Sequence, residues 1–257
     1  MYNRYISAQA LTRRTPTESY HWSMALSLFN GILSRDIESS DQDALWLTTA
    51  ALSWITLFAV DTADPEQVWP LKPTEASDLS WLQIQKGLHT MWPLCNIEGR
   101  PDSAFHAIRW HDDDRCLGTP TPEPGIHGIP QAFVDLYELS EISTCTNNPY
   151  HTSVRCLIPL LNDNFQRVSH FKYMTFPNNI GPAFEGLLRQ KDSRALLLMA
   201  LWYATVCRAS WWISPRALVE CRSICIYLDR HCLHDMQIQS LLTFAKQRCM
   251  YGDIVRG

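Results

Sequence analysis

The chain has 257 residues, a formal net charge of -4, 46% hydrophobic and 19% charged residues, 10 tryptophans and 9 cysteines. That balance excludes a disordered chain, and with no Lys/Arg cluster beyond Arg13-Arg14 and the spaced Arg189, Lys191 and Arg194 it argues against direct nucleic-acid binding, which needs grouped cations to displace counterions. The odd cysteine count, without a C-x-x-C pair, fits thiols packed as small hydrophobes in a reducing compartment, so a nuclear or cytoplasmic location is expected.

Trp22, Ala25, Leu26, Phe29, Ile32 and Leu33 recur at helical spacing and predict a first amphipathic helix. Ser40 or Asp41 is placed to cap a second, Leu45 to Val60, which is apolar nearly all round and so is expected in a central, enclosed position. The proline-containing loop "DTADPEQVWPLKPTEASD" follows, and Ser77 or Asp78 opens a helix carrying Leu79, Leu82, Leu88, Met91 and Trp92. From Asn96 to Pro130 the period weakens. A short helix at Ala104 to Trp110 gives way to residues 111–130, long enough for a lid but read first as a mobile surface loop.

Helical pattern returns at Gln131 to Leu139 and at Tyr150 to Leu161, the latter with Asn148 and Pro149 as cap and first-turn residues. Pro182 starts another helix, and Asp192 caps the apolar run Ala195 to Cys207. At ~1.5 Å per residue that run spans about 20 Å, short of the roughly 30 Å hydrocarbon core, so no membrane span is expected. Ser214 and Pro215 repeat the cap-and-proline signal before the stripe Ala217, Leu218, Cys221, Ile224, Cys225 and Leu228, and a last helix is expected at Asp235 to Cys249. Strand alternation and hairpin turns are nearly absent. The expected fold is therefore all-α, a single-domain multi-helix bundle over residues 1–257 around a long buried apolar helix.

Motifs that carry chemistry are few. "HAIRWHDDD" joins His106 and His111 to three aspartates, a metal-ligand vocabulary, but the histidines are not at the i, i+4 spacing of a helical zinc pair and the aspartates read as a solvated helix end. No metal and no cofactor is expected. "DRHCLHD" reads as a helix terminus with Asp235 capping the next helix, in preference to a Cys-His pair. No P-loop, G-x-G-x-x-G or G-x-S-x-G is present. Tyr203 lies inside the apolar run, where its hydroxyl needs either a core partner or a polar cavity.

From Phe176 to Leu228, Phe176-Pro177, Leu187-Leu188, Arg194-Ala195-Leu196 and Trp211-Trp212 follow one another in an order that resembles the C-terminal regulatory domain of fungal zinc-cluster transcription factors of the sterol-uptake-regulator type. The N-terminal half is similar less specifically, through "YHWSMALSLFNGIL", the helix Leu45 to Val60, and Trp81, Leu82 and Gly87. The resemblance implies a helical domain whose apolar helix walls an apolar cavity for a sterol-, terpenoid- or polyketide-like molecule. Phe176, Phe184, Leu188, Met199, Trp202, Tyr203, Trp211 and Trp212 are the ligand contacts it suggests. Two features depart from the family: the zinc cluster is absent, and Ile213-Ser214-Pro215 follows Trp212 where a glycine is expected. The chain is thus expected to be either a regulatory domain, with a homodimer kept open, or a stand-alone relative converted to a secondary-metabolite enzyme such as a cyclase, isomerase or pericyclase. The short start before the first helix points toward the second. In that case Tyr203, His106, His111 and His170 are the proton-transfer candidates.

Overall fold

Residues 15–60, 62–96, 99–105, 123–162, 170–207 and 213–249 are described by the structure, a computed structural model. Among them, ten α-helices and a 3-10 turn at Pro65–Gln67 account for the regular structure, with no strand. The helices are α1 Pro16–Leu33, α2 Ser39–Phe58, α3 Ser80–Cys95, α4 Gln131–Leu136, α5 His151–Leu161, α6 His170–Asn178, α7 Pro182–Arg189, α8 Ser193–Val206, α9 Ser214–His231 and α10 Met236–Cys249. No helix among the described residues is long and apolar enough to cross a membrane.

The core is organised on α8. Asp192 caps it by accepting from the Ala195 amide at 2.8 Å, and every side chain from Ala195 to Val206 is buried. An all-round apolar helix can be satisfied only by neighbours on several sides, and α5, α7, α9 and α10 all pack against this one. Burial of each of its leucines contributes roughly 1.5–3 kcal/mol. Trp202 carries the core outward: its ring stacks on Trp81 of α3 at 5.8 Å and 9°, and on Phe176 of α6 at 5.8 Å and 24°. Its indole N–H donates to the Tyr173 carbonyl at 2.8 Å, so the bulky ring is buried without an unpaired donor.

A second, smaller apolar cluster joins Leu45, Trp46 and Ala50 of α2 to Leu88, Met91 and Cys95 of α3. Here α2 differs from expectation. Leu45, Trp46, Leu52 and Leu57 are buried, but Leu47 is 54% and Trp54 42% exposed, so α2 lies at the edge and not in an enclosed position. Its partners α1, α3 and α9 cover part of its circumference, and the outward side is left to solvent.

Several helix starts also shift. Helix α2 begins at Ser39, where Glu38 and Asp41 exchange capping bonds. Ser77 to Leu79 form a turn before α3. Asn148 acts on Tyr150, accepting its amide at 2.9 Å, and α5 begins one residue later. Helix α4 stops at Leu136, and Ile213, not Ser214, stands at the N-cap of α9. Pro182, Pro215 and Asp235 occupy the terminal positions expected of them.

Candidate functional site

Helix α2 ends facing the start of α9. The last carbonyls of a helix lack intrahelical partners and carry a partial negative charge. Arg216, in the first turn of α9, meets them: its Nε donates to the Leu57 carbonyl at 2.8 Å, and its Nη2 to Thr56 at 3.2 Å and Ala59 at 2.6 Å. One turn along α9, Glu220 accepts from Arg216 Nη1 and from the Tyr203 hydroxyl of α8. A carboxylate 5% exposed is tolerable only because both oxygens are bonded. Burial, and then the Glu220 charge, push the Tyr203 phenol well above its ordinary value, so it acts as a fixed donor and not as a base.

Beside this network lies a cleft of about 510 Å3. Its walls come from the end of α2 (Thr56, Ala59, Val60), the loop carrying Val68, Trp69 and Lys72, the start of α3 with Asp78 and Trp81, and Arg216 and Glu220 of α9. The Trp69–Pro70 peptide bond is cis. Lys72 bonds Asp78 at 2.8 Å and Glu75 at 3.1 Å. Burial alone would lower the Lys72 pKa, but these two carboxylates outweigh it and hold the ammonium above its ordinary value. The Arg216 guanidinium stands 5.8 Å over the Trp81 ring.

Apart from Asp78 Oδ1, whose contact is the Lys72 ion pair, three polar atoms of lining residues are buried with no hydrogen-bond partner among the described residues: Trp69 Nε1, Trp81 Nε1 and Thr56 Oγ1. The two tryptophans are 3% and 2% exposed. A buried donor left unpaired costs about 1–3 kcal/mol, and neither indole nitrogen has surface open to the cleft.

The described residues singled out from the sequence as ligand contacts are not in this lining. Phe176, Phe184, Leu188, Met199, Trp202 and Tyr203 are each no more than 1% exposed, within one apolar cluster. Phe176 meets Phe184 edge-on at 6.3 Å, and Trp202 meets Tyr203 at 4.9 Å. Two of them approach the cleft indirectly, Trp202 through Trp81 and Tyr203 through Glu220. Trp211, Trp212, His106 and His111 lie outside the described residues, as does the side chain of His170.

Trp69, Lys72, Asp78, Arg216 and Glu220 were not singled out from the sequence. Arg216 and Glu220, opposite charges four apart within a helix of apolar stripe, are the one local signal that could have drawn attention. No group of three or more His, Cys, Asp or Glu placed to hold a metal is present among the described residues. The buried thiols are poor nucleophiles, since burial pushes Cys156 up to about 12 and Cys221 well above its ordinary value. No family model, curated protein or solved structure matches the chain.

Proposed function

We propose that the chain is a helical small-molecule-binding domain, acting as the ligand-sensing part of a fungal transcription regulator, with the cleft beside Trp69 and Trp81 as its ligand site. The observation that carries the binding reading is the cleft of about 510 Å3 itself, walled by Trp69 and Trp81 beside the Arg216–Glu220 pair. Concave sites with aromatic walls and a few converging polar groups are where small organic molecules bind. The regulatory role rests on the resemblance from Phe176 to Leu228, with a separate module reading DNA in the nucleus. Bound ligand would bear on Arg216 and Glu220, which join α2, α8 and α9, and so on the relative placement of those helices.

Tryptophan fluorescence titrated with sterol, terpenoid and polyketide probes tests the binding reading. A saturable response that Trp81→Phe weakens is the expected result, and no saturable response to any probe would remove the reading.

A second reading, a stand-alone secondary-metabolite enzyme, is favoured by one observation: Glu220 lines the cleft and is held in place by both Tyr203 and Arg216. If that reading holds, a candidate metabolite is converted at a rate that Glu220→Gln lowers by about 10² to 10⁴-fold. Quantitative recovery of every metabolite unchanged would leave only the binding role.

A further inference from the structure

Four cysteines that stand apart in the sequence form a run of neighbouring thiols in the core. Cys207 caps the C-terminus of α8, Cys221 and Cys225 lie on the inward stripe of α9, and Cys249 closes α10. None is more than 6% exposed. The Cys249 thiol donates to Cys207 Sγ at 3.8 Å, and the Cys207 thiol to the Ala204 carbonyl at 3.3 Å. Arg222 holds the end of α10 in this position, its Nε donating to the Cys249 carbonyl at 2.6 Å. Cys221 donates to the Ala200 carbonyl at 3.5 Å and is within thiol hydrogen-bonding reach of both Cys225 and Cys249. A disulfide needs Cβ atoms about 3.5–4.5 Å apart, whereas residues four apart on a helix have theirs about 5–6 Å apart, so Cys221 and Cys225 cannot be joined while α9 is intact. Cys221 is also in the middle of α9, where turning toward Cys249 disturbs hydrogen-bonded turns on both sides. Cys207 and Cys249 each stand at a helix end, where the backbone adjusts at the cost of few intrahelical bonds.

We infer that Cys207 and Cys249 form an oxidation site, at which a low-molecular-weight disulfide such as oxidised glutathione converts the two thiols to a disulfide and staples the end of α8 to the end of α10. The thiolate of one cysteine attacks a glutathione sulfur, releasing one glutathione and leaving a mixed disulfide. The second cysteine then attacks the protein sulfur of that mixed disulfide and releases the other glutathione. The protons given up by the two cysteines go to the two departing glutathione thiolates, so two protein thiols are oxidised and one glutathione disulfide is reduced. At 6% and 1% exposure neither sulfur is open to an oxidant while the helix ends stay packed, so the exchange runs when the last turn of α10 opens, or before it docks during folding. Once formed, the bond closes a loop across 42 residues that contains α9, and with it Arg216 and Glu220. Such a crosslink stabilises the fold mainly by constraining the unfolded chain. The inference is independent of the small-molecule reading above.

The full chain, refolded from urea in a mixture of reduced and oxidised glutathione, is treated with iodoacetamide to block the remaining thiols, digested with trypsin and read by mass spectrometry. Cleavage at Arg and Lys places Cys207, Cys221, Cys225 and Cys249 in four different peptides, so each pairing has its own mass. The expected product joins peptide 195–208 to peptide 249–256, two hydrogens lighter than the reduced peptides together, and exceeds every other cysteine pair by about tenfold or more. The oxidised chain should melt roughly 5–15 °C above the reduced one, and that rise should vanish in Cys249→Ser and persist in Cys221→Ser. The peptide map is made on the unaltered chain, so it stands if a variant fails to fold. Exposed Cys145 reports, by taking up glutathione, that the oxidant has acted. Recovery of Cys207 or Cys249 as the iodoacetamide adduct while Cys145 carries glutathione would overturn the inference, and so would a map dominated by Cys221–Cys249 or by pairs between two chains. A linked chain that melts no higher than the reduced one would do the same.

Discussion

Arg216 serves three purposes at once: it terminates α2, neutralises Glu220 and stands over Trp81. Removing one partner of a buried ion pair leaves the other charge uncompensated, which typically costs about 3–5 kcal/mol. Arg216→Met should therefore lower the urea unfolding free energy by about that much, and adding Glu220→Gln should recover part of the loss because the stranded charge is gone. A single variant within about 1 kcal/mol of the parent would show that the network contributes little. His151 provides the pH dependence. It is fully buried, its Nε2 bonds the Gly125 carbonyl at 3.1 Å, and its Nδ1 has no partner among the described residues, so a second ring proton would have nowhere to donate. Burial accordingly holds its pKa below the usual 6.5. The unfolded chain then binds the proton more readily, so stability is complete above about 6.5 and is lost as pH falls through the folded value. Melting temperature should drop from pH 7.5 to 5.5, and His151→Gln, which keeps a donor for Gly125, should flatten that drop. Parallel pH profiles for the two proteins would remove His151 as the cause.

Among the elements, α1 and α8 are opposites. Helix α1 has a complete capping box, with Thr15 accepting from the Glu18 amide at 3.2 Å and Glu18 accepting from the Thr15 amide at 2.7 Å, yet it contains no buried residue. Of the stripe expected of it, Trp22, Ala25, Leu26, Phe29 and Ile32 are half-buried, the last two against the smaller cluster, whereas Leu33 and, off the stripe, Tyr20, Met24 and Leu28 face solvent. Its stability is thus local. Thr15→Ala should cost the helix about 1 kcal/mol, seen as faster amide exchange in α1 with the global denaturation midpoint unmoved; a shift of that midpoint would show α1 to be part of the global unit. In α8 the reverse holds. Leu197 is fully buried, and Leu197→Ala should lower global stability by about 2–5 kcal/mol, read from the same denaturation curves. Helix α7 is tied to α3 by polar contacts: Glu185 accepts from Lys86 and Gln83 of α3, each at 2.7 Å, and within its own helix from Arg189 at 2.8 Å. Burial raises the Glu185 carboxyl, but these bonds together outweigh it and hold the pKa below the usual range.

At the scale of the whole molecule, the cleft is built from the end of α2, the loop after it, the start of α3 and the start of α9. A ligand that binds there stabilises the folded chain by mass action. At about a hundredfold its dissociation constant the gain is about 2.7 kcal/mol, which for a chain of this size is a rise of roughly 5–10 °C in melting temperature. Scanning calorimetry with the sterol, terpenoid and polyketide probes should show that rise for whichever of them gives a saturable fluorescence response. The same chain, at a net charge of -4, should give no mobility shift with duplex DNA at physiological salt, and a sequence-selective shift would overturn the division of labour proposed here.

Helical class was legible because it depends on short-range periodicity. The stripe Ala217, Cys221, Ile224, Cys225 and Leu228, the cap at Asp192 and the absence of strand alternation are local facts, and the folded chain keeps them. A periodicity does not say which neighbour covers which side. Thus α2, apolar nearly all round, could not be told from an enclosed helix until its partners were in place and Leu47 and Trp54 were left outside. The candidate site was beyond reach for a related reason. The bond that organises it, Arg216 to the Leu57 carbonyl, closes over 159 residues, and the unpaired state of the Trp69 and Trp81 indoles depends on what surrounds them and not on what they are. Residue type and spacing determine which helices form, whereas burial, pairing and the position of a cavity come into being only when distant segments exclude water from one another.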